Sequence, residues 1–129
     1  MNVARDAELV ALTILRAAMP GVRAGTITPP DMPDEFVRVR RIGGGMEGRV
    51  RDAARLDVLV SAPDEAAAMA LALRVRAVLL ESPGTRTGGA VVYGVAEVMG
   101  PQRFPNPDDL DKSLVMFTHE VTLRTEHHQ

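Results

Sequence analysis

Cysteine is absent from these 129 residues, which removes disulfides, thiolate nucleophiles and cysteine-based zinc sites from consideration. Aromatic residues make up 3% of the chain, too few for the stacking platform of a single-strand nucleic-acid binder. No apolar run approaches the roughly 18 residues of a membrane-spanning helix, so no membrane association is expected. The opening segment MNVARDAELV lacks the basic stretch, apolar core and small-residue cleavage site of a secretory signal, and export by that route is not expected either. Lysine is nearly missing: fourteen of the fifteen basic residues are arginine, with Lys112 alone. Arginine suits bidentate, partly buried ion pairs at interfaces, although a GC-rich coding bias yields the same count. An excess of positive charge is lacking too, since the net charge of -2 opposes tight non-specific DNA binding.

What is present is an ordinary globular balance, 46% hydrophobic and 25% charged, at a length that buries one core. Ala7 to Met19 carries apolar residues at helical spacing, and Pro20-Gly21 ends that helix. Val22 to Thr28 is a short strand candidate, and Pro29, Pro30 and Pro33 make the segment to Glu35 an extended loop. In Phe36 to Ile42, Val37 and Val39 alternate with Arg38 and Arg40, the pattern of a half-buried strand. Gly43-Gly44-Gly45-Met46-Glu47-Gly48 then predicts a flexible tip. Arg49 to Ser61 predicts a long strand antiparallel to the previous one, with Leu56, Val58 and Val60 on one face.

Pro63-Asp64-Glu65 signals a helix start, and the Ala-, Leu- and Met-rich run to Leu80 continues it until Ser82-Pro83-Gly84. Its apolar stripe is Ala68, Leu71, Ala72, Val75, Val78 and Leu79. Thr85 to Met99 predicts one strand, Gly100 to Asp111 a polar loop, and Ser113 to Thr125 a strand with Val115, Phe117, His119, Val121 and Leu123 on one face. The order α, β, β, β, α, β, β predicts an α/β (α+β) fold. It has a mixed or antiparallel sheet of four to five strands with two helices on one face, and residues 1–129 form a single domain.

No constellation carries catalytic chemistry. The glycines at 43–45 lack the lysine and following helix of a phosphate-binding loop. Ser61, Ser82 and Ser113 stand in no nucleophile elbow, and Asp108, Asp109 and Asp111 do not follow a calcium-loop pattern. His119 reads as a hydrogen-bonded core histidine, with His127 and His128 at the chain end. Glu97 and Glu120 are carboxylates that neighbouring strands can bring together. The chain is therefore not expected to be an enzyme or to hold a metal or cofactor. Long loops on a small domain point instead to contact with other molecules. Met46 and Phe104, apolar in polar surroundings, are the candidate anchors.

The segments also resemble, in order and spacing over nearly the whole chain, the tail-terminator proteins of long-tailed (siphovirus-type) bacteriophages. The matching pieces are Met19-Pro20-Gly21-Val22-Arg23, the strand-to-glycine run FVRVRRIGG from Phe36 to Gly44, and ARLDVLVSA from Ala54 to Ala62. The helix Asp64 to Leu80 with Pro83-Gly84-Thr85, and Glu97-Val98-Met99-Gly100-Pro101, complete the series. The resemblance implies a homo-hexameric ring on the head-proximal end of the tail tube, assembled in the host cytoplasm. Such a ring stops polymerisation of the major tail-tube protein and docks the stopper or connector proteins of the filled head. DNA would pass through its lumen without being read. Closing a head-to-tail ring needs two complementary faces on each subunit. The candidates are Arg38, Arg40, Gly44, Gly45, Met46, Arg49, Arg51, Phe104, Asp108, Asp109 and Asp111, with the arginines facing Asp57 or the aspartate loop of a neighbour. Another neck component, or a small-ligand binding module, stays open as an alternative.

Overall fold

The computed structural model describes residues 3–31, 33–107, 109 and 111–125. Helix α1 spans Ala7–Ala18, and Asp6 caps its start by accepting from the Leu9 N–H at 3.2 Å. Helix α2 spans Glu65–Leu80, where the Asp64 carboxylate accepts from the Ala67 N–H at 2.8 Å and Glu65 adds negative charge to the first turn. Beyond α2, the Ser82 hydroxyl donates to the Leu79 carbonyl at 2.6 Å, and Gly84 takes the positive φ that a turn there requires.

Six strands form one mixed sheet: β1 (Ala24–Gly25), β2 (Phe36–Glu47), β3 (Arg51–Ala62), β4 (Arg86–Thr87), β5 (Ala90–Phe104) and β6 (Ser113–Thr125). Their spatial order is β1-β2-β3-β6-β5-β4, with β1 parallel to β2 and every other neighbour antiparallel. The long pairing of β3 with β6 sets Leu56 beside His119, Val58 beside Phe117 and Val60 beside Val115. Because side chains alternate across a strand, these residues share a face with Val37 and Val39 of β2. Both helices cover that face, joining Val10, Leu15, Leu71, Val75 and Leu79 to it in one continuous core. Burial of each larger aliphatic or aromatic side chain contributes about 1.5–3 kcal/mol. Among the described residues no helix covers the opposite sheet face.

Three expectations are corrected. Thr85 to Met99 is not one strand, because Gly88 and Gly89 both adopt positive φ and turn the chain between β4 and β5. Two consecutive positive φ values are what a tight hairpin turn demands, and this raises the strand count to six. Gly43 to Gly45 are not a tip but part of β2, with Gly44 opposite Ala54 and Gly45 opposite Ala53. Positive φ at Gly43 and Gly44 lets the strand slip its register after Arg41 and resume, so the turn falls at residues 48–50. The third correction concerns Gly100 to Phe104, which continue β5 with Gln102 opposite Met116 and Phe104 opposite Leu114. Pro101 is tolerated because β4 covers only the start of β5, leaving the outer edge beyond it unpaired. The register of β5 on β6 shifts three times along this length.

Candidate assembly surface

The open sheet face is built from the alternate residues of the same strands, so its composition is fixed by the pattern that built the core. Arg38 is half-buried there, its Nε donating to the Thr26 carbonyl at 2.8 Å. This bond ties the segment after β1 to β2. Arg40 is exposed and lies 3.5 Å from Asp57, whose carboxylate also accepts a 2.6 Å hydrogen bond from the Thr118 hydroxyl. Asp57 is thus satisfied within its own chain. Arg55 pairs at 3.5 Å with Glu120, and Arg51 lies over the Tyr93 ring with its guanidinium carbon 3.8 Å from the centroid. The face alternates positive and negative groups around half-buried Leu59 and Met116.

At one end of the sheet the β2–β3 hairpin projects Ile42, Met46 and Val50, all exposed, with Met46 50% accessible. Glu47 and Arg49 flank the turn, both exposed. Gly44 is obligatory in this hairpin, since a Cβ on it would collide with the Ala53 carbonyl. Gly45 is extended and open on its outer side.

The other end gathers the two long loops. The Lys112 ammonium donates to the Pro33 carbonyl at 3.1 Å and pairs with Asp109 at 3.5 Å, while Asn106 donates to Ser61 at 3.4 Å. Asp109 is thus held within its own chain, and its carboxylate also accepts from the Asp111 N–H at 2.9 Å. Asp111 is exposed, and Asp108 lies outside the described residues. Phe104, at the end of β5, lines an open groove of about 420 Å³ with Arg103, Asn106, Lys112 and Leu114. Glu65, at the start of α2, closes its rim 3.9 Å from Arg103.

On the helix side, polar groups lock the layers together. Arg76 of α2 grips Glu97 of β5 at 2.6 and 2.7 Å, and the same carboxylate lies 3.4 Å from His119 Nε2. His119 is fully buried, its ring tilted against Phe117 at 4.8 Å, and its Nδ1 has no hydrogen-bond partner. It is the core histidine the alternation of β6 predicts. Glu97 pairs with this histidine rather than with Glu120, which stands opposite Ala96. Among the described residues no group of His, Asp and Glu side chains has the arrangement of a metal site.

The family model described as "Phage tail termination protein" matches residues 3–129. The chain belongs to that family. Membership makes it a structural protein of the phage tail. The fold is similar to that of a chain in the solved structure described as "Virion of native gene transfer agent (GTA) particle". The two superpose with a TM-score of 0.67 over 88% of this chain and 91% of that one, at 14% identity. A search of curated proteins gave no match.

Of the residues singled out in the sequence, Arg38, Arg40 and Arg51 lie on the open face, Met46 on the hairpin and Phe104 at the opposite end of the sheet; the outward side of α2, where Ala66, Ala70, Leu73, Ala77 and Leu80 are all exposed, was not among them. Their spacing of four, three, four and three residues keeps them along one side of the helix.

Proposed function

We propose that residues 1–129 act as one tail-terminator domain that assembles into a homo-hexameric ring on the head-proximal end of the tail tube. The ring halts addition of the major tail-tube protein and presents its other surface to the stopper or connector proteins of the DNA-filled head. The observation that carries this reading is the extent of the family match, which runs from residue 3 to residue 129 and so takes in every helix and strand. Both ends of the sheet bear exposed apolar residues, Met46 at one and Phe104 at the other, as a subunit contacting different partners requires. Arg38, Arg40, Gly44, Gly45, Met46, Arg49, Arg51, Phe104, Asp109 and Asp111 are the proposed contact residues, together with Asp108. A near-neutral chain with a net charge of -2 suits a lumen through which DNA slides without being held.

The test is the solution mass of the purified protein over a concentration series by light scattering coupled to size exclusion, with negative-stain imaging, alone and with tail-tube protein added. A closed six-copy particle in either condition is the expected result. A monomer or dimer that ignores tube protein overturns the reading.

A further inference from the structure

Helix α2 is apolar on more than its buried side. Ala68, Leu71, Ala72, Val75 and Leu79 face the core, while Ala66, Ala70, Leu73, Ala77 and Leu80 form a second stripe that faces outward. Leu73 is 46% exposed and Leu80 38%. A helix that is apolar on both sides belongs to a buried environment, so the outward stripe lacks its partner in the isolated chain. Arg74 and Glu81 fall along one margin of the stripe at 100° per residue, while Arg76, along the other margin, is already paired with Glu97.

The β2–β3 hairpin bears the second unpartnered apolar group, Ile42, Met46 and Val50, with Glu47 and Arg49 beside it. None of Arg74, Glu81, Glu47 and Arg49 forms an ion pair among the described residues. Each patch thus carries one unpaired positive and one unpaired negative side chain next to exposed aliphatic surface. Glycine at 43, 44 and 45 leaves the strand leading to the tip without side chains, a low surface against which a helix can lie closely.

We infer that the outward stripe of α2 in one copy receives the β2–β3 hairpin tip of the next, with Arg74 beside Glu47 and Glu81 beside Arg49. The inference rests on the ring proposed above and assigns its subunit contact. The two patches are different surfaces of one chain, so pairing them repeats head to tail, as a ring requires, whereas pairing α2 with α2 would stop at a dimer. The small alanines let the hairpin approach the helix, and Leu73, Leu80 and Met46 supply the apolar area removed from water.

Introduced cysteines are unique in this chain, which has none. Chains carrying Met46→Cys and Leu73→Cys are co-expressed, assembled and treated with a short bismaleimide. A covalent dimer in the mixed sample, absent from either variant alone, is expected. A dimer with Leu73→Cys alone, or no dimer in particles of ring mass, overturns the contact while leaving the ring standing. Arg74→Glu is expected to abolish the ring with circular dichroism unchanged, and adding Glu47→Arg to restore it. An intact Arg74→Glu ring, or no restoration, also overturns the contact. If the wild-type chain forms no ring with or without tube protein, the ring reading fails first and the contact falls with it.

Discussion

The Arg41 guanidinium holds both carboxylate oxygens of Asp52, at 2.7 and 2.8 Å, across the point where β2 slips its register on β3. Its Nε also donates to the Gly43 carbonyl at 2.9 Å, and its backbone N–H donates to the Glu8 carboxylate of α1 at 2.8 Å. One residue therefore fixes the bulge, the hairpin beyond it and the first helix. Asp52 is buried, its side chain 5% exposed, whereas Arg41 keeps a third of its side chain in water.

Replacing Asp52 with Ala is expected to lower stability by about 2 kcal/mol, below the cost of breaking a fully buried pair because Arg41 remains partly solvated. Urea unfolding measures it. Proteolysis should meanwhile concentrate on the hairpin, and an unchanged cleavage pattern would show that the pair does not hold the bulge.

Gly44→Ala places a methyl group against the Ala53 carbonyl at a positive φ. A loss of about 1–3 kcal/mol is expected. Gly45→Ala, where a Cβ meets nothing within 4 Å, should be nearly silent in thermal melts. Equal losses at the two positions would rule out the bulge as their cause.

Burial pushes the His119 imidazole below its ordinary value, with Glu97 opposing that shift and Arg76 adding to it. The Arg76 guanidinium, with a smaller contribution from His119, holds the Glu97 carboxyl below the usual carboxylate range. In the unfolded chain the imidazole gains its proton as pH falls through about 6.5, while in the folded chain it stays neutral to lower pH. The unfolded state then binds more protons, so stability is complete above that pH and declines below it, with a limiting slope of about 1.4 kcal/mol per pH unit. Glu97 adds a further loss in stronger acid, since its contribution is present above about pH 4.3 and disappears as pH falls through its lower folded value. Denaturant midpoints measured across this range should show the first decline in the wild type and a flattened one in His119→Gln. A wild-type profile with no decline below the imidazole range would overturn this account.

Phe104→Ala is expected to change stability by about 1 kcal/mol or less, because the ring is already 37% exposed. If Phe104 anchors a tube or neck partner, this variant should assemble to the wild-type mass yet lose that partner in co-sedimentation. Retained co-sedimentation would remove Phe104 from the contact.

The alternation of Val37 with Arg38 and of Phe117 with Thr118 made the faces of the sheet legible, because a strand has one periodicity and one buried side. Glycine was harder to read. Gly43 to Gly45 continue a strand, with Gly44 and Gly45 set opposite Ala54 and Ala53, whereas Gly88-Gly89 turn the chain between the paired Thr87 and Ala90, and which occurs depends on what lies opposite. Gly100-Pro101 misled in the same way, since proline at an unpaired edge costs the strand nothing. The outward stripe of α2 went unread because the buried stripe through Leu71, Val75 and Leu79 was sufficient to explain the helix, and an exposed leucine such as Leu73 or Leu80 carries little signal by itself.

The uncovered edge of β5 has a consequence beyond the single molecule. A strand edge is a template on which other strands can stack without limit, and a flat one seeds fibres. Here three register slips and Pro101 spoil that template along the stretch β4 leaves bare. The irregularity that made β5 hard to foresee leaves this edge a poor template for strands of other copies.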